Sequence, residues 1–397
     1  MKILVVIGTR PEAIKMAPVI KEIVSRPGFA CRVCTTGQHQ EMLQQVLQVF
    51  DIVPDNALDL MQPDQSLSAL TASVLNALDR VLLENTPDLV LVQGDTTSVL
   101  AAALAARHRH IRVGHVEAGL RTWDCENPFP EEINRQLVTR LSALHFAPTW
   151  QSADNLLREG IEPTSIHVTG NPVIDALHVI LAQSPPPCFD ELLEADRRLI
   201  LITAHRRENF GHPLEEICNA VAELARRHPD LQFVYPVHLN PNVQKTVKSI
   251  LHERPGVKLL PPVDYVTLVH LVRRSTLILT DSGGIQEEAP SLGVPVLVLR
   301  ETTERPEGVA AGTARLVGTD RANIIVQVES LLHDAQALRA IRAIPNPYGD
   351  GCAARRIVDV LAGMTTSEAG EGLSSGNGTT TGDLAPYIAG PEGSKRI

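Results

Sequence analysis

Short apolar runs alternate with helical patterns along most of the chain, and this alternation narrows the fold more than any other feature. Runs at 2–7, 30–35, 88–93, 111–117, 144–147 and 165–169 read as strands, with helices over 11–26, 39–50, 66–85, 96–109 and 131–142. Near-continuous apolar strands separated by amphipathic helices are the mark of parallel βαβ units buried on both faces. The first helix has an explicit start, because Thr9 and Glu12 stand in capping-box spacing with Pro11 in the first turn.

Three consecutive prolines interrupt the pattern within 182–198, and strand-like runs then resume at 199–204, 231–237, 257–260, 276–280 and 294–299. The sequence therefore predicts an α/β protein of two Rossmann-like domains with parallel sheets. The N-terminal domain takes 1–181, the linker 182–198 and the C-terminal domain 199–350. A last helix over 351–364 is free to pack back on the first domain. Residues 365–397, rich in Gly, Ser and Thr, bury too little apolar surface to fold and are expected to be disordered.

A chain of 397 residues suits two cores at roughly 100–200 residues each. An aromatic share of 3% and a net charge of -10 argue against a nucleic-acid partner. No window approaches the ~20 apolar residues of a membrane span, and the opening strand does not read as a signal peptide. Of the cysteines at 31, 34, 125, 188, 218 and 352, only Cys31 and Cys34 are closely spaced. They lie in a strand-like run and read as buried thiols, so the expected compartment is a reducing cytoplasm.

Three formal motifs fail on context. "GDGCAA" at 349–354 matches a dinucleotide pattern with no strand before it. "GLSSG" at 372–376 imitates a nucleophile elbow inside the low-complexity tail, and the glycosylation triplet at Asn377 lies in the same tail. No metal or cofactor is expected.

Ligands of open parallel sheets bind beyond the carboxyl ends of the strands, so the residues just past each strand are informative. After the first come Arg10 and Lys15; after 88–93, Asp95; after 111–116, Glu117; and Glu131 and Glu132 open a helix behind Pro130. The second half supplies His205, Arg206 and Arg207, and then "TDSGG". In that last motif Gly283 and Gly284 allow close approach of a bulky anion, Ser282 and free helix amides donate to it, and Arg10, Arg206 or Arg305 supply cations. Glu287 or Glu288 beside a phosphate site should face neutral hydroxyls, such as a ribose.

The strings "GTRPEAIKMAP", "GDTTS", "GHVEAGLRTWD", "PFPEEINRQ", "HRREN", "YPVHLNP", "LTDSGGIQEEAPSLGVPVLV", "TTERPE" and "NPYGDG" occur in this order. Over residues 1 to about 363 the chain resembles the non-hydrolysing UDP-N-acetylglucosamine 2-epimerases of bacteria. The resemblance implies the two-domain architecture of B-type glycosyltransferases, with an interdomain cleft that holds UDP. It also implies interconversion of UDP-GlcNAc and UDP-ManNAc through elimination of UDP to 2-acetamidoglucal and re-addition, supplying ManNAc units for surface polysaccharides.

By the same resemblance Asp95, Glu117 and Glu131 are the carboxylates of the sugar pocket and His205 lies near the diphosphate. Arg10, Ser282, Gly283, Gly284 and Arg305 hold phosphates or the polar rim of the sugar, Lys15 sits nearby, and Glu288 takes the ribose. Some members bind a second UDP-GlcNAc as activator; Gln38, His238 and Arg206 are the matching residues. Asp64 and Glu41 replace an Arg and a Gln of that site, and Val263 and Leu268 replace a Gln and a Phe around the uracil. A cytoplasmic homodimer is expected. A B-type glycosyltransferase and a hydrolysing 2-epimerase are the alternatives.

Overall fold

The computed structural model describes residues 1–37, 40–62, 65–187 and 189–371. Gln38, Asp64, Cys188 and the segment 372–397, with its two rejected motifs, lie outside the described residues.

Two parallel sheets organise the chain. The first contains β1 (Lys2–Ile7), β2 (Ala30–Thr35), β3 (Asn56–Ala57), β4 (Leu89–Gln93), β5 (Arg112–Val116), β6 (Leu144–Ala147) and β7 (Ile166–Val168), in the order β3-β2-β1-β4-β5-β6-β7. The second contains β8 (Arg198–Thr203), β9 (Leu231–Pro236), β10 (Val257–Leu260), β11 (Ser275–Thr280), β12 (Val296–Val298) and β13 (Ala314–Leu316), in the order β10-β9-β8-β11-β12-β13. In each sheet the order reverses beside the first strand, between β1 and β4 and between β8 and β11. These are the switch points where loops diverge and leave a crevice. The strands β3 and β13 are too short to carry an apolar run, and neither is apparent from the sequence pattern.

Helix α1 (Arg10–Ser25) follows β1 with Pro11 in its first turn, but the capping box forms only in part. The Thr9 side chain makes no cap hydrogen bond and instead donates to Glu12 Oε1 at 3.0 Å, while Gly8 N donates to Glu12 Oε2 at 2.5 Å. Thr96, at the start of α4 (Thr97–His108), donates to Glu12 Oε1 at 2.9 Å. Glu12 thus ties the loop after β1 to the loop after β4.

The first core joins β1, β2 and α1 to α7 (Pro172–Leu181), to Ile357, Val358 and Leu361 of α15 (Ala353–Glu371), and to Tyr265 and Val269 of α10 (Tyr265–Arg274). Because α10 belongs to the second sheet's layer, the apolar core is continuous between the domains. Helix α15 begins at Ala353 and extends to Glu371, past residue 364 where the sequence pattern ends it. Among the described residues no strand directly precedes 349–354, where Asp350 is paired with Arg356 at 2.7 Å. Of the two thiols read as buried, Cys34 is buried while Cys31 is only half-buried, because it lies nearer the start of β2; burial pushes both up to about 12. No helix among the described residues is long and apolar enough to cross a membrane.

Candidate active site

The carboxyl ends of the two sheets bring their loops to one crevice. Strand register explains which residues meet. Gln93 of β4 pairs with Val116 of β5, so Asp95 and Glu117 emerge as neighbours just beyond. Thr203 of β8 pairs with Thr280 of β11, and His205 and Asp281 emerge in the same way.

Glu117 comes directly after β5 with a left-handed backbone at φ 65, which turns its side chain inward. Its Oε1 accepts from Lys15 Nζ at 2.5 Å and from Asn171 Nδ2 at 3.1 Å, and Gln93 Nε2 donates to Oε2. Arg305, the N-cap of α12 (Pro306–Ala311), reaches within 4.0 Å of the same carboxylate. Lys15 also lies 3.4 Å from Glu287 Oε2, and Arg305 Nε donates to Glu287 Oε1 at 2.9 Å. Glu304 then links Arg305 at 3.0 Å, Arg206 at 2.7 Å and Arg300 at 2.5 Å. Alternating charges therefore run from the end of β5 into the second domain. Buried charges survive only when paired in this way.

The electrostatics reflect the pairing. Burial pulls the Lys15 ammonium down, but Glu117 and Glu287 outweigh it and hold it above its ordinary value. Arg305 is likewise held up against burial by Glu287, Glu304 and Glu117. For Glu304 burial is overcome by Arg305, Arg206 and Arg300, so its carboxyl sits well below the usual range.

The other two candidate carboxylates, Asp95 and Glu131, differ. Asp95 Oδ2 is gripped by Arg135 at 2.6 Å, and Asn134 donates to the Asp95 carbonyl at 2.8 Å. Both residues come from α5 (Glu131–Leu141), which Glu131 opens. Glu131 Oε2 is buried with no hydrogen-bond partner among the described residues.

Across the crevice, Arg10 is held near Asp264 and Glu288, and burial lowers its guanidinium. Burial, with Glu287 alongside, pushes Glu288 up to about 8, and the Tyr265 hydroxyl lies 3.5 Å from its Oε2. Helix α11 (Gly283–Glu288) starts directly after Ser282. A Cβ on Gly283 would stand 2.8 Å from the Arg305 Cζ, whereas one on Gly284 would meet nothing nearer than 3.7 Å. Gly283 is thus required by the guanidinium packed on it, a reason distinct from approach by an anion; Gly284 keeps an open face.

His205 and His238 stack with ring centroids 5.2 Å apart and planes 12° apart, and Arg206 is engaged with Glu304. His238 and Arg206 are therefore adjacent to His205, while Gln38, the third residue of the expected second site, falls outside the described residues. A cavity of about 660 Å³ opens elsewhere, at Trp150, His178, Asn346 and Arg356, and none of the candidate site residues lines it.

Arg135, Asn171, Gln93 and Glu304 do not stand out in the sequence as site residues. Asn171 lies in "TGNP" just after β7, so the strand-end rule extended to that strand would have found it. Gln93, Arg135 and Asp281 sit inside or beside recognisable motifs, but their pairing depends on which strands are neighbours.

A family model for UDP-N-acetylglucosamine 2-epimerase matches residues 21–362. The chain is 53% identical over 369 residues to the UDP-N-acetylglucosamine 2-epimerase of Escherichia coli (strain K12), covering 91% of this chain and 98% of that protein. Its structure is similar to that of UDP-GlcNAc 2-epimerase from Neisseria meningitidis bound to UDP-GlcNAc, with TM-score 0.88 and 49% identity over 91% of this chain and all (100%) of that one. A glycosyltransferase from Rickettsia africae shares the fold alone, with TM-score 0.60 at 14% identity, covering 92% of this chain and 98% of that one. With sheets, crevice and sequence in agreement, the chain belongs to the UDP-N-acetylglucosamine 2-epimerase family.

Proposed function

We propose that the protein interconverts UDP-GlcNAc and UDP-ManNAc by eliminating and re-adding UDP, without cofactor or metal. The observation that carries this reading is the meeting of Lys15, Arg305 and Glu117 in one buried cluster. Cations able to hold a diphosphate are thereby fixed at the strand ends that also carry the candidate carboxylates. In the elimination, a carboxylate takes the C2 proton, the C1–O bond breaks, and its electron pair leaves with UDP as the C1–C2 double bond of 2-acetamidoglucal forms. Re-addition of UDP to C1 and of a proton to the other face of C2 completes the inversion.

Asp95 and Glu117 are each committed to a cation. Glu131, with Oε2 unpartnered among the described residues, is the carboxylate free to exchange the C2 proton. His205, Arg10, Arg305 and the Ser282–Gly284 turn face the diphosphate, with Lys15 nearby, and Glu288 accepts from the ribose hydroxyls. The family resemblance supports a cytoplasmic homodimer, for which light scattering and cell fractionation are the tests.

Proton NMR of UDP-GlcNAc incubated with the protein in D2O is decisive. Formation of UDP-ManNAc with deuterium at C2 is expected. A B-type glycosyltransferase would need an acceptor and leave C2 unlabelled, and a hydrolysing enzyme would release UDP stoichiometrically; either result overturns the proposal.

A further inference from the structure

Asp281 shares its contacts unequally between its two oxygens. It is fully buried, and its Oδ2 accepts three hydrogen bonds: from His205 N at 2.8 Å, Arg206 N at 2.9 Å and Asn209 Nδ2 at 3.0 Å. Its Oδ1 is buried, accepts none among the described residues, and lies 3.7 Å from His205 Nδ1. A buried acceptor left without a donor is unfavourable. A modest rotation of the imidazole would close this gap.

The surroundings limit how far the ring can turn. Thr203 and Thr280 hydroxyls, 2.6 Å apart, lock the ends of β8 and β11 from which His205 and Asp281 emerge. Tyr235 donates to the Ala204 carbonyl at 2.5 Å, fixing the peptide before His205. One face of the ring is stacked on His238. With Nδ1 facing Asp281, Nε2 is the nitrogen left to face a ligand.

We propose that Asp281 is a positioning residue for His205: its Oδ1 accepts the Nδ1 hydrogen and so reserves Nε2 for the departing and returning diphosphate. The assignment rests on the epimerase reading, which places His205 beside that group. A carboxylate on the far nitrogen of a histidine selects the tautomer and orients the ring.

The test uses Asp281→Asn, whose behaviour the geometry specifies. Three N–H donors keep their claim on the amide oxygen, so the amide NH2 must occupy the place of Oδ1 and donate to Nδ1, forcing the ring hydrogen onto Nε2. Nitrogen-15 NMR of histidine-labelled protein, with His205→Gln identifying the signals, should show Nδ1–H in the parent and Nε2–H in the variant. The kcat should fall about 10²–10⁴-fold, while KM for UDP-GlcNAc stays within about threefold, a split that general loosening of the loop would not give. An Nε2–H ring in the parent overturns the proposal even if the variant does not fold. So does a variant kcat within about threefold of the parent. Absence of C2 labelling by the parent would sink the epimerase reading and leave the tautomer result standing.

Discussion

Lys15 Nζ lies 2.5 Å from Glu117 Oε1 and 3.4 Å from Glu287 Oε2, so one buried ammonium joins the end of β5 to α11 of the other domain. Removing it leaves the two carboxylates in low dielectric with Arg305 as the cation they still share. Lys15→Met should lose about 3–5 kcal/mol of stability, read from urea midpoints, and should also lose turnover. A loss below about 1 kcal/mol would mean that the pair is screened by solvent.

The three pocket carboxylates separate under substitution because their partners differ. Asp95→Asn, Glu117→Gln and Glu131→Gln should each cut kcat by about 10²–10⁴-fold while UDP affinity changes far less. Glu117→Gln should also melt earlier, since it abandons Lys15, whereas Glu131→Gln should melt with the parent. Equal losses of turnover and UDP affinity would remove these residues from the chemistry.

Adjacent glycines should respond differently to one methyl group. Gly283→Ala drives a Cβ to 2.8 Å from a guanidinium clamped by Glu287 and Glu304, so the arginine cannot yield freely. The expected cost is about 1–3 kcal/mol of stability, with weaker UDP binding. Gly284→Ala has room and should fold like the parent. If it also binds UDP like the parent by calorimetry, the phosphates do not approach at residue 284.

Glu288, pushed up to about 8 by burial and Glu287, should make substrate affinity depend on pH if it takes the ribose. A ribose diol needs the carboxylate as acceptor, and below pH 8 the free protein must release a proton to supply it. UDP-GlcNAc binding should therefore strengthen as pH rises toward 8, by up to about tenfold per unit, and the slope should vanish in Glu288→Gln. Calorimetry that finds a flat profile in the parent would exclude Glu288 from the ribose.

Glu12 carries the opposite consequence for stability. Burial raises its carboxyl from 4.5 to about 7, against the hydrogen bonds from Gly8, Thr96 and Thr9. Between those values the unfolded chain has released a proton that the folded chain still holds, so stability falls as pH rises. The contribution is complete below pH 4.5 and lost as pH passes 7. Denaturation should show Glu12→Gln gaining on the parent from pH 5 to pH 7.5; a constant difference would refute the shift.

Local chemistry carried the strand-end residues into view. A strand announces itself through its apolar run, and its carboxyl end through the polar or glycine-rich residues just beyond. Asp95, Glu117, His205 and the 281–284 turn were therefore legible without knowing where any strand lay. Their partners were not. Asp95 meets Arg135, Glu117 meets Lys15 and Asn171, and Glu12 meets Thr96, each through separations of 40 to 102 residues along the chain. Periodicity reports neighbours within a few positions, whereas these contacts arise from strand order and register inside the first domain. The same cause in the second domain gave Gly283 a guanidinium for a neighbour. Which residue types the crevice would hold was written locally; which charge each one answers to emerged only when strand order gathered distant loops and the second domain added Glu287 and Arg305 to the cluster.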